Sequence, residues 1–224
     1  MSNTIKMVVL DMAGTTINED NIVYKTLHKA VEKQGIEVDL STVLKICAGK
    51  EKHKAIIDLL KNLGIEDVDS KVVFENFKKN LEEAYDLYEI KPVDGVEAFF
   101  GELKRKGVIV VLNTGYDSKT ANKLLSKLNW SVGNQIDALI TADDVVTGRP
   151  SAEMINLAME IFSISNSKNV LKAGDSAIDI EEGKSANCGL TVGVLSGAQN
   201  EEELAKASPN YIFQNVTQII NLFV

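Results

Sequence analysis

The chain reads as an α/β protein, a doubly wound parallel sheet with an α-helical segment inserted behind its first strand. Three observations lead there. Short apolar runs recur and end on polar residues, helical periods alternate with them, and one long stretch carries helical periods only. The runs cover 6–11, 107–113, 137–141, 170–174, 190–194 and 210–213. Continuous apolar runs of this length are what parallel strands buried on both faces look like. Helical spacing follows over 96–106, with apolar residues at 96, 99, 100 and 103 before Gly107, and again over 118–128 and 152–162.

From about 22 to 88 the alternation stops. Val23, Leu27, Ala30 and Val31 form one stripe. Ile56, Leu59, Leu60 and Leu63 form a second, and Phe74, Phe77, Leu81 and Ala84 a third. A bundle inserted there would hang over the C-terminal end of the first strand, where a lid can exclude water. The expected division is a core domain of 1–16 and 89–224 with a helical cap domain of 17–88, hinged near 16–19 and 89–94.

Composition narrows the function classes. In 224 residues, 24 Lys and Arg face 32 Asp and Glu, a net charge of −8. A nucleic-acid partner is therefore not expected, because that affinity rests on basic residues neutralising phosphates. The two cysteines, Cys47 and Cys188, lie far apart and read as reduced, packed thiols. The N-terminus is polar, and its apolar run 7–10 is too short for a signal sequence or a membrane span. The expectation is a cytoplasmic protein with no membrane partner.

In doubly wound sheets, ligands bind outside the carboxyl ends of the strands. Those ends carry Asp11-Met-Ala13-Gly14-Thr15-Thr16, Asn113-Thr114-Gly115-Tyr116, Gly148-Arg149-Pro150 and Gly174-Asp175-Ser-x-x-Asp179. Together they offer carboxylates, a hydroxyl, glycine-flanked amides and a cation, a set suited to a phosphoryl group beside a divalent metal. Mg²⁺ takes one or two carboxylates plus water and substrate oxygens. A carboxylate could attack phosphorus, with hydroxyl, amide and guanidinium groups stabilising the oxygens. Arg149 stands out because the chain has only one other arginine, Arg105, in a Lys-Arg-Lys helix end. Thr15 and Thr16 read as turn hydroxyls, Asp143 or Asp144 as a turn cap or a metal neighbour, and His28 and His53 as boundary residues. Tyr116 lines the pocket or packs on its rim.

This ordered set resembles the haloacid dehalogenase superfamily over nearly the whole chain, with the helical insert in the place of that superfamily's cap. The resemblance implies Asp11 as nucleophile, Arg149 as the charge-neutralising residue, and Thr114, Gly115, Ala13 and Gly14 as substrate contacts. It implies a Mg²⁺ site of Asp11, the Ala13 carbonyl, Asp175 and a supporting or water-mediated Asp179. Phosphatases of the superfamily carry an acid two residues after the nucleophile, where this chain has Ala13; alanine cannot protonate a leaving group. The Asp-x-Ala-Gly-Thr-Thr form looks instead like the phosphonatases, typified by phosphonoacetaldehyde hydrolase, which cleave C–P bonds through a Schiff base on a cap lysine.

Gly49-Lys-Glu-Lys52 fits the phosphonatase Gly-x-x-Lys element, and Lys52 shares a helical stripe with Ile56, Leu59 and Leu63, so it should point inward. A desolvated lysine has a lowered pKa and can act as a neutral amine; the other reading is a lysine that snorkels or binds a substrate anion. Ala55 stands where that branch has a cap histidine, and Ala48 where it has methionine. Three functions follow: a Mg²⁺-dependent phosphonatase-type hydrolase of a small phosphonate or phosphorylated metabolite, a phosphoglycolate-phosphatase-like phosphomonoesterase, or a non-catalytic phosphometabolite-binding protein. The helix over 22–34 could carry a homodimer contact through the cap, although nothing in its pattern demands one.

Overall fold

The computed structural model describes residues 5–223, so the N-terminal segment 1–4 and Val224 lie outside it. The main sheet has six parallel strands in the order β5-β4-β1-β6-β7-β8. They are β1 (Met7–Asp11), β4 (Ile109–Asn113), β5 (Ala138–Ile140), β6 (Val170–Gly174), β7 (Leu190–Val194) and β8 (Tyr211–Phe213). Each falls within an expected run. Side chains alternate between the two faces. Val8, Leu10, Val110, Leu112, Leu171 and Ala173 join the larger core, and Met7, Val9, Val111 and Val170 the smaller one.

Helices cover both faces. α5 (Val96–Arg105) and α6 (Ser118–Lys127) bring Phe99, Phe100, Leu124 and Leu125 to the larger core; α7 (Glu153–Ile161) brings Met154, Ile155 and Ala158 to the smaller. Trp130 is buried edge-on against Phe100, 5.3 Å between ring centres, and its indole N–H donates to Glu97 at 2.7 Å. It is a core anchor. α8 (Ala177–Ser185) and α9 (Glu201–Lys206) complete the layers. α8 lacks an apolar stripe because the face it buries carries Asp179 and Glu182.

The insert holds α1 (Ile22–Glu32), α2 (Leu40–Cys47), α3 (Lys52–Asn62) and α4 (Ser70–Leu87). Three helices were expected. α2 is the addition, a two-turn helix capped by Asp39, whose carboxylate accepts the Thr42 N–H at 2.7 Å. The expected hinges pair with each other as short antiparallel strands, β2 (Ile17–Asn18) and β3 (Lys91–Pro92). Cys47 and Cys188 are buried, free thiols, each pushed by burial up to about 12. Among the described residues no helix is long and apolar enough to cross a membrane.

Gly49 joins α2 to α3 where the insert meets the core. Its φ is +72°, and a Cβ there would fall 2.2 Å from Ile178 Cγ2 and 2.3 Å from Ser176 Oγ on the α8 side. Only glycine allows both that backbone and that approach. Gly49→Ala should therefore cost about 2 kcal/mol or more in urea unfolding, whereas Gly35→Ala, with φ +78° but open space around it, should cost only the backbone strain.

Candidate active site

β4, β1 and β6 are neighbours, so their C-terminal ends lie side by side. Asp11 is in register with Asn113, and Leu10 with Ala173. These ends bring Asp11, Ala13, Gly14, Thr114, Gly115, Asp175 and Asp179 to one rim, and the loop before α7 delivers Arg149 to it. Asp11, Thr114, Arg149, Asp175 and Asp179 are all buried.

Arg149 is the centre of the arrangement. Its Nη1 donates to Asp11 Oδ1 at 2.7 Å and lies 3.0 Å from Asp179 Oδ1. Nε is 3.0 Å from Glu182 Oε2, and Nη2 donates to the backbone and side-chain oxygens of Asn113, both at 2.7 Å. Lys172, fully buried in β6, lies 2.9 Å from Asp179 Oδ1 and 3.2 Å from Glu182 Oε2, and donates to Asn113 Oδ1 at 2.8 Å. Asn113 returns a bond from Nδ2 to Glu182 Oε1 at 2.8 Å. Ser176 Oγ donates to Asp179 Oδ2. Burial alone would push Asp179 up, but Arg149 and Lys172 hold its carboxyl below the usual range. Every oxygen of Asp179 is thus engaged by the protein, which places it behind Asp11 as a brace.

Lys172 and Glu182 carry no mark in the sequence reading, and Asn113 and Ser176, which lie in the strand-end motifs, have no role assigned there. One signal was present: a lysine in the middle of an otherwise apolar parallel strand, where an unpaired charge is not tolerated. Of the two acids after β5, Asp144 caps its own turn and Asp143 reaches across to the start of α6. Asp144 accepts from the Thr141 N–H at 2.7 Å and Asp143 from the Ser118 N–H at 2.8 Å. Thr16 donates to the Asp11 carbonyl at 2.9 Å, whereas the buried Thr15 hydroxyl finds no partner among the described residues. His28 bonds the Val38 carbonyl, and His53 stacks on Phe74 beside Ser70.

Asp175 has no such bracing. Its Oδ2 accepts the Ala198 N–H at 2.6 Å. Burial, then the nearby Asp11 and Asp179, push its carboxyl well above the ordinary range; burial also raises Asp11, against the pull of Arg149. Arg149 and Lys172 pair with Asp11, Asp179 and Glu182, and neither cation pairs with Asp175 among the described residues. Gly14 and Gly197 press on the carboxylate of Asp175, where a Cβ would lie 2.3 and 2.0 Å from Oδ2. No cluster of three or more His, Cys, Asp and Glu side chains forms a metal cage among the described residues. Asp11 and Asp175, two buried acids on one rim, fit a hard divalent cation that takes one or two carboxylates and completes its shell with water and substrate oxygens.

From the insert, Lys52 points in. Its ammonium nitrogen donates to the Lys50 carbonyl at 2.8 Å and lies 5.3 Å from the ring centres of both Tyr24 and Tyr116. Burial lowers its pKa, and the field of Asp11 opposes that shift. Lys50 turns away, paired with Asp58 at 2.6 Å. Tyr24 accepts the Gly49 N–H at 3.0 Å. A cleft of about 800 Å³ between α3, α4 and α6 is lined by Lys52, Tyr85, Gly115 and Tyr116, while Asp11, Arg149 and Asp175 lie outside its lining.

This rim and its inserted helices define a hydrolase class. The model of the haloacid dehalogenase-like hydrolases matches residues 8–192, and the chain belongs to that family. It is 29% identical over 207 residues to the phosphonoacetaldehyde hydrolase of Latilactobacillus sakei, covering 87% of this chain and 77% of that one. Its fold matches a phosphonoacetaldehyde hydrolase-like protein from Oleispira antarctica with a TM-score of 0.85 at 22% identity, over 99% and 92% of the two chains. A predicted phosphoglycolate phosphatase from Haemophilus somnus matches at a TM-score of 0.77 and 18% identity, covering 98% of each. The two structural likenesses concern the fold.

Removing Lys172 should leave Asp179 and Glu182 buried with one cation fewer. Lys172→Met is expected to lose about 3 to 5 kcal/mol of stability, measured by urea unfolding. A second expectation concerns Glu19, whose carboxyl burial raises from 4.5 to about 7. Between those values the folded chain keeps a proton that the unfolded chain has released, so stability falls as pH rises through that window. Glu19→Gln lacks this loss and should gain up to about 3 kcal/mol on the parent between about pH 4.5 and about pH 7; parallel melting curves across pH test it.

Proposed function

We propose that the protein is a Mg²⁺-dependent phosphonatase-type hydrolase that cleaves the C–P bond of a small 2-oxoalkyl phosphonate such as phosphonoacetaldehyde. The observation that carries this reading is Lys52, a buried amine held beside the Tyr24 and Tyr116 rings and within the field of Asp11, with a pKa that burial lowers. Ala13 stands where an ester phosphatase would need an acid. The relationship to enzymes named phosphonoacetaldehyde hydrolase supports the same reading.

Neutral Lys52 attacks the aldehyde carbon to give a carbinolamine, and uptake of one proton by its hydroxyl with loss of water leaves an iminium ion. Asp11 then attacks phosphorus. Its Oδ1 is held by Arg149, which leaves Oδ2 to form the new O–P bond. As the C–P bond breaks, its electron pair passes into the iminium, giving an enamine on Lys52 and an acyl phosphate on Asp11. Water hydrolyses both, releasing acetaldehyde and phosphate. Because the iminium accepts the carbon's electrons, no acid at position 13 is needed to protonate a leaving oxygen.

Asp11, Asp175 and the Ala13 carbonyl would hold Mg²⁺, with Asp179 bracing Arg149 behind them. The ion supplies charge neutralisation for the phosphonate oxygens. The Thr114 hydroxyl, the Gly115 N–H and the unpartnered Thr15 hydroxyl offer donors to those oxygens, whereas the Gly14 N–H is already given to the Ile17 carbonyl at 2.8 Å. The helical insert serves as the cap that keeps water from the iminium.

The phosphomonoesterase reading has one observation in its favour. Lys52 Nζ donates to a carbonyl, a contact that a charged, anion-binding ammonium also makes. Phosphate release with Mg²⁺ separates the two. Phosphonoacetaldehyde should be turned over, small phosphomonoesters should not, and both Asp11→Asn and Lys52→Arg should lose at least about 10³-fold in kcat. Ester turnover that survives Lys52→Arg would replace the phosphonatase reading with the phosphatase one.

A further inference from the structure

Glu19 follows β2 at the hinge and is buried, though nothing in the reaction described above uses it. Its Oε2 accepts the Val23 N–H at 2.9 Å and the Tyr85 hydroxyl at 3.2 Å. The Tyr85 and Tyr116 hydroxyls are 2.7 Å apart. A hydrogen-bonded line thus runs from Glu19 through the insert helix α4 to Tyr116 at the end of β4, whose ring stands 5.3 Å from Lys52 Nζ.

We propose that Glu19 is a positioning residue that holds a proton at the buried end of this hydroxyl chain and so sets whether Tyr116 donates to, or accepts from, the group bound at Lys52. The proposal rests on the Schiff-base reading for its chemistry and on the chain's geometry for its direction. A carboxylate can only accept. When Glu19 is ionised, Tyr85 must donate to it and Tyr116 to Tyr85, so the Tyr116 proton points away from Lys52. When Glu19 is protonated it can donate to Tyr85, Tyr85 to Tyr116, and the Tyr116 proton is free to face Lys52.

That proton has a use. Dehydration of the Lys52 carbinolamine breaks its C–O bond and needs one proton on the departing hydroxyl. Tyr116 gives it, Tyr85 reprotonates Tyr116, and Glu19 reprotonates Tyr85. Neutral carbinolamine and neutral Glu19 become a cationic iminium, a Glu19 carboxylate and water, so charge and atoms balance. Hydrolysis of the imine after C–P cleavage runs the chain in reverse and restores the proton to Glu19.

The groups facing Glu19 are consistent with a carboxyl that can exist in both forms. From α1 come the Val23 N–H, Tyr24 and Lys25, the last paired with Asp20 at 2.6 Å; α4 contributes Tyr85, the end of β4 Tyr116, and α3 Lys52. Burial raises the acid to about 7, while the Val23 N–H, Tyr85 and the two lysines restrain the rise.

The first test needs no substrate. In infrared spectra of the Mg²⁺-loaded protein, the difference between the parent and Glu19→Gln should show a protonated carboxyl band that disappears as pH rises through about 7. Tyr85→Phe should shift the band, because it removes the hydroxyl partner. Absence of the band at about pH 6, or no response to Tyr85→Phe, overturns the proposal whatever the substrate proves to be. With phosphonoacetaldehyde, kcat should fall above about pH 7 in the parent. Glu19→Gln and Tyr85→Phe should each lower kcat about a hundredfold, leave KM within about twofold, and remove that pH limb. The double variant should be no worse than either single one. A wild-type pH profile in Glu19→Gln, or losses that add, would overturn it. Failure of the phosphonate alone, with the band present, would refute the proposed substrate and leave the proton-holding chain standing.

Discussion

The buried guanidinium of Arg149 is the contact on which the rest of the rim depends. It touches β1 through Asp11, β4 through Asn113, and α8 through Asp179 and Glu182. Few side chains could do this, since five fixed donors on one plane match several acceptors at once while the charge never leaves. With Lys172 it sets two cations among four acids. Desolvated charges on this scale persist only where each has partners, so the cluster fixes the relative positions of three elements as firmly as apolar packing does. Among the described residues Asp175 pairs with neither cation; its Oδ2 accepts the Ala198 N–H instead.

The insert meets this rim through contacts of two kinds. Gly49 and the Tyr85–Tyr116 hydroxyl pair are buried and directional. Farther out, α4 faces α6 through Lys119–Glu82 and Lys123–Asp86, ion pairs with at least one largely exposed partner. Exposed pairs are each worth little and are weakened by salt. The insert is therefore held on the core more by the inner contacts than by the outer pairs. In the proposed reaction, an insert held in this way would keep water from the iminium.

Much of this was legible in the sequence because parallel strands and strand-end motifs are local signals. The runs that became β1, β4 and β6 end on the residues that form the rim, and the stripe of α3 placed Lys52 inward. α2 was missed because eight residues give too few periods to register, and β2 and β3 because two-residue strands exist only through each other. Lys172 and Glu182 are partners by virtue of the fold: a lysine in a strand and a glutamate in a helix carry no joint signal until β6 and α8 pack. Glu19, Tyr85 and Tyr116 are separated by 66 and 31 positions. Their alignment is a property of the insert packed on the core, which no periodicity describes.

The account turns on whether Lys52 is an amine that reacts rather than a cation that binds. The most direct measurement is borohydride reduction of the protein with phosphonoacetaldehyde, followed by intact mass and peptide mapping. The account predicts one covalent adduct per chain, located on Lys52 and absent from Lys52→Arg. An unmodified Lys52 under conditions in which phosphate is released would contradict it.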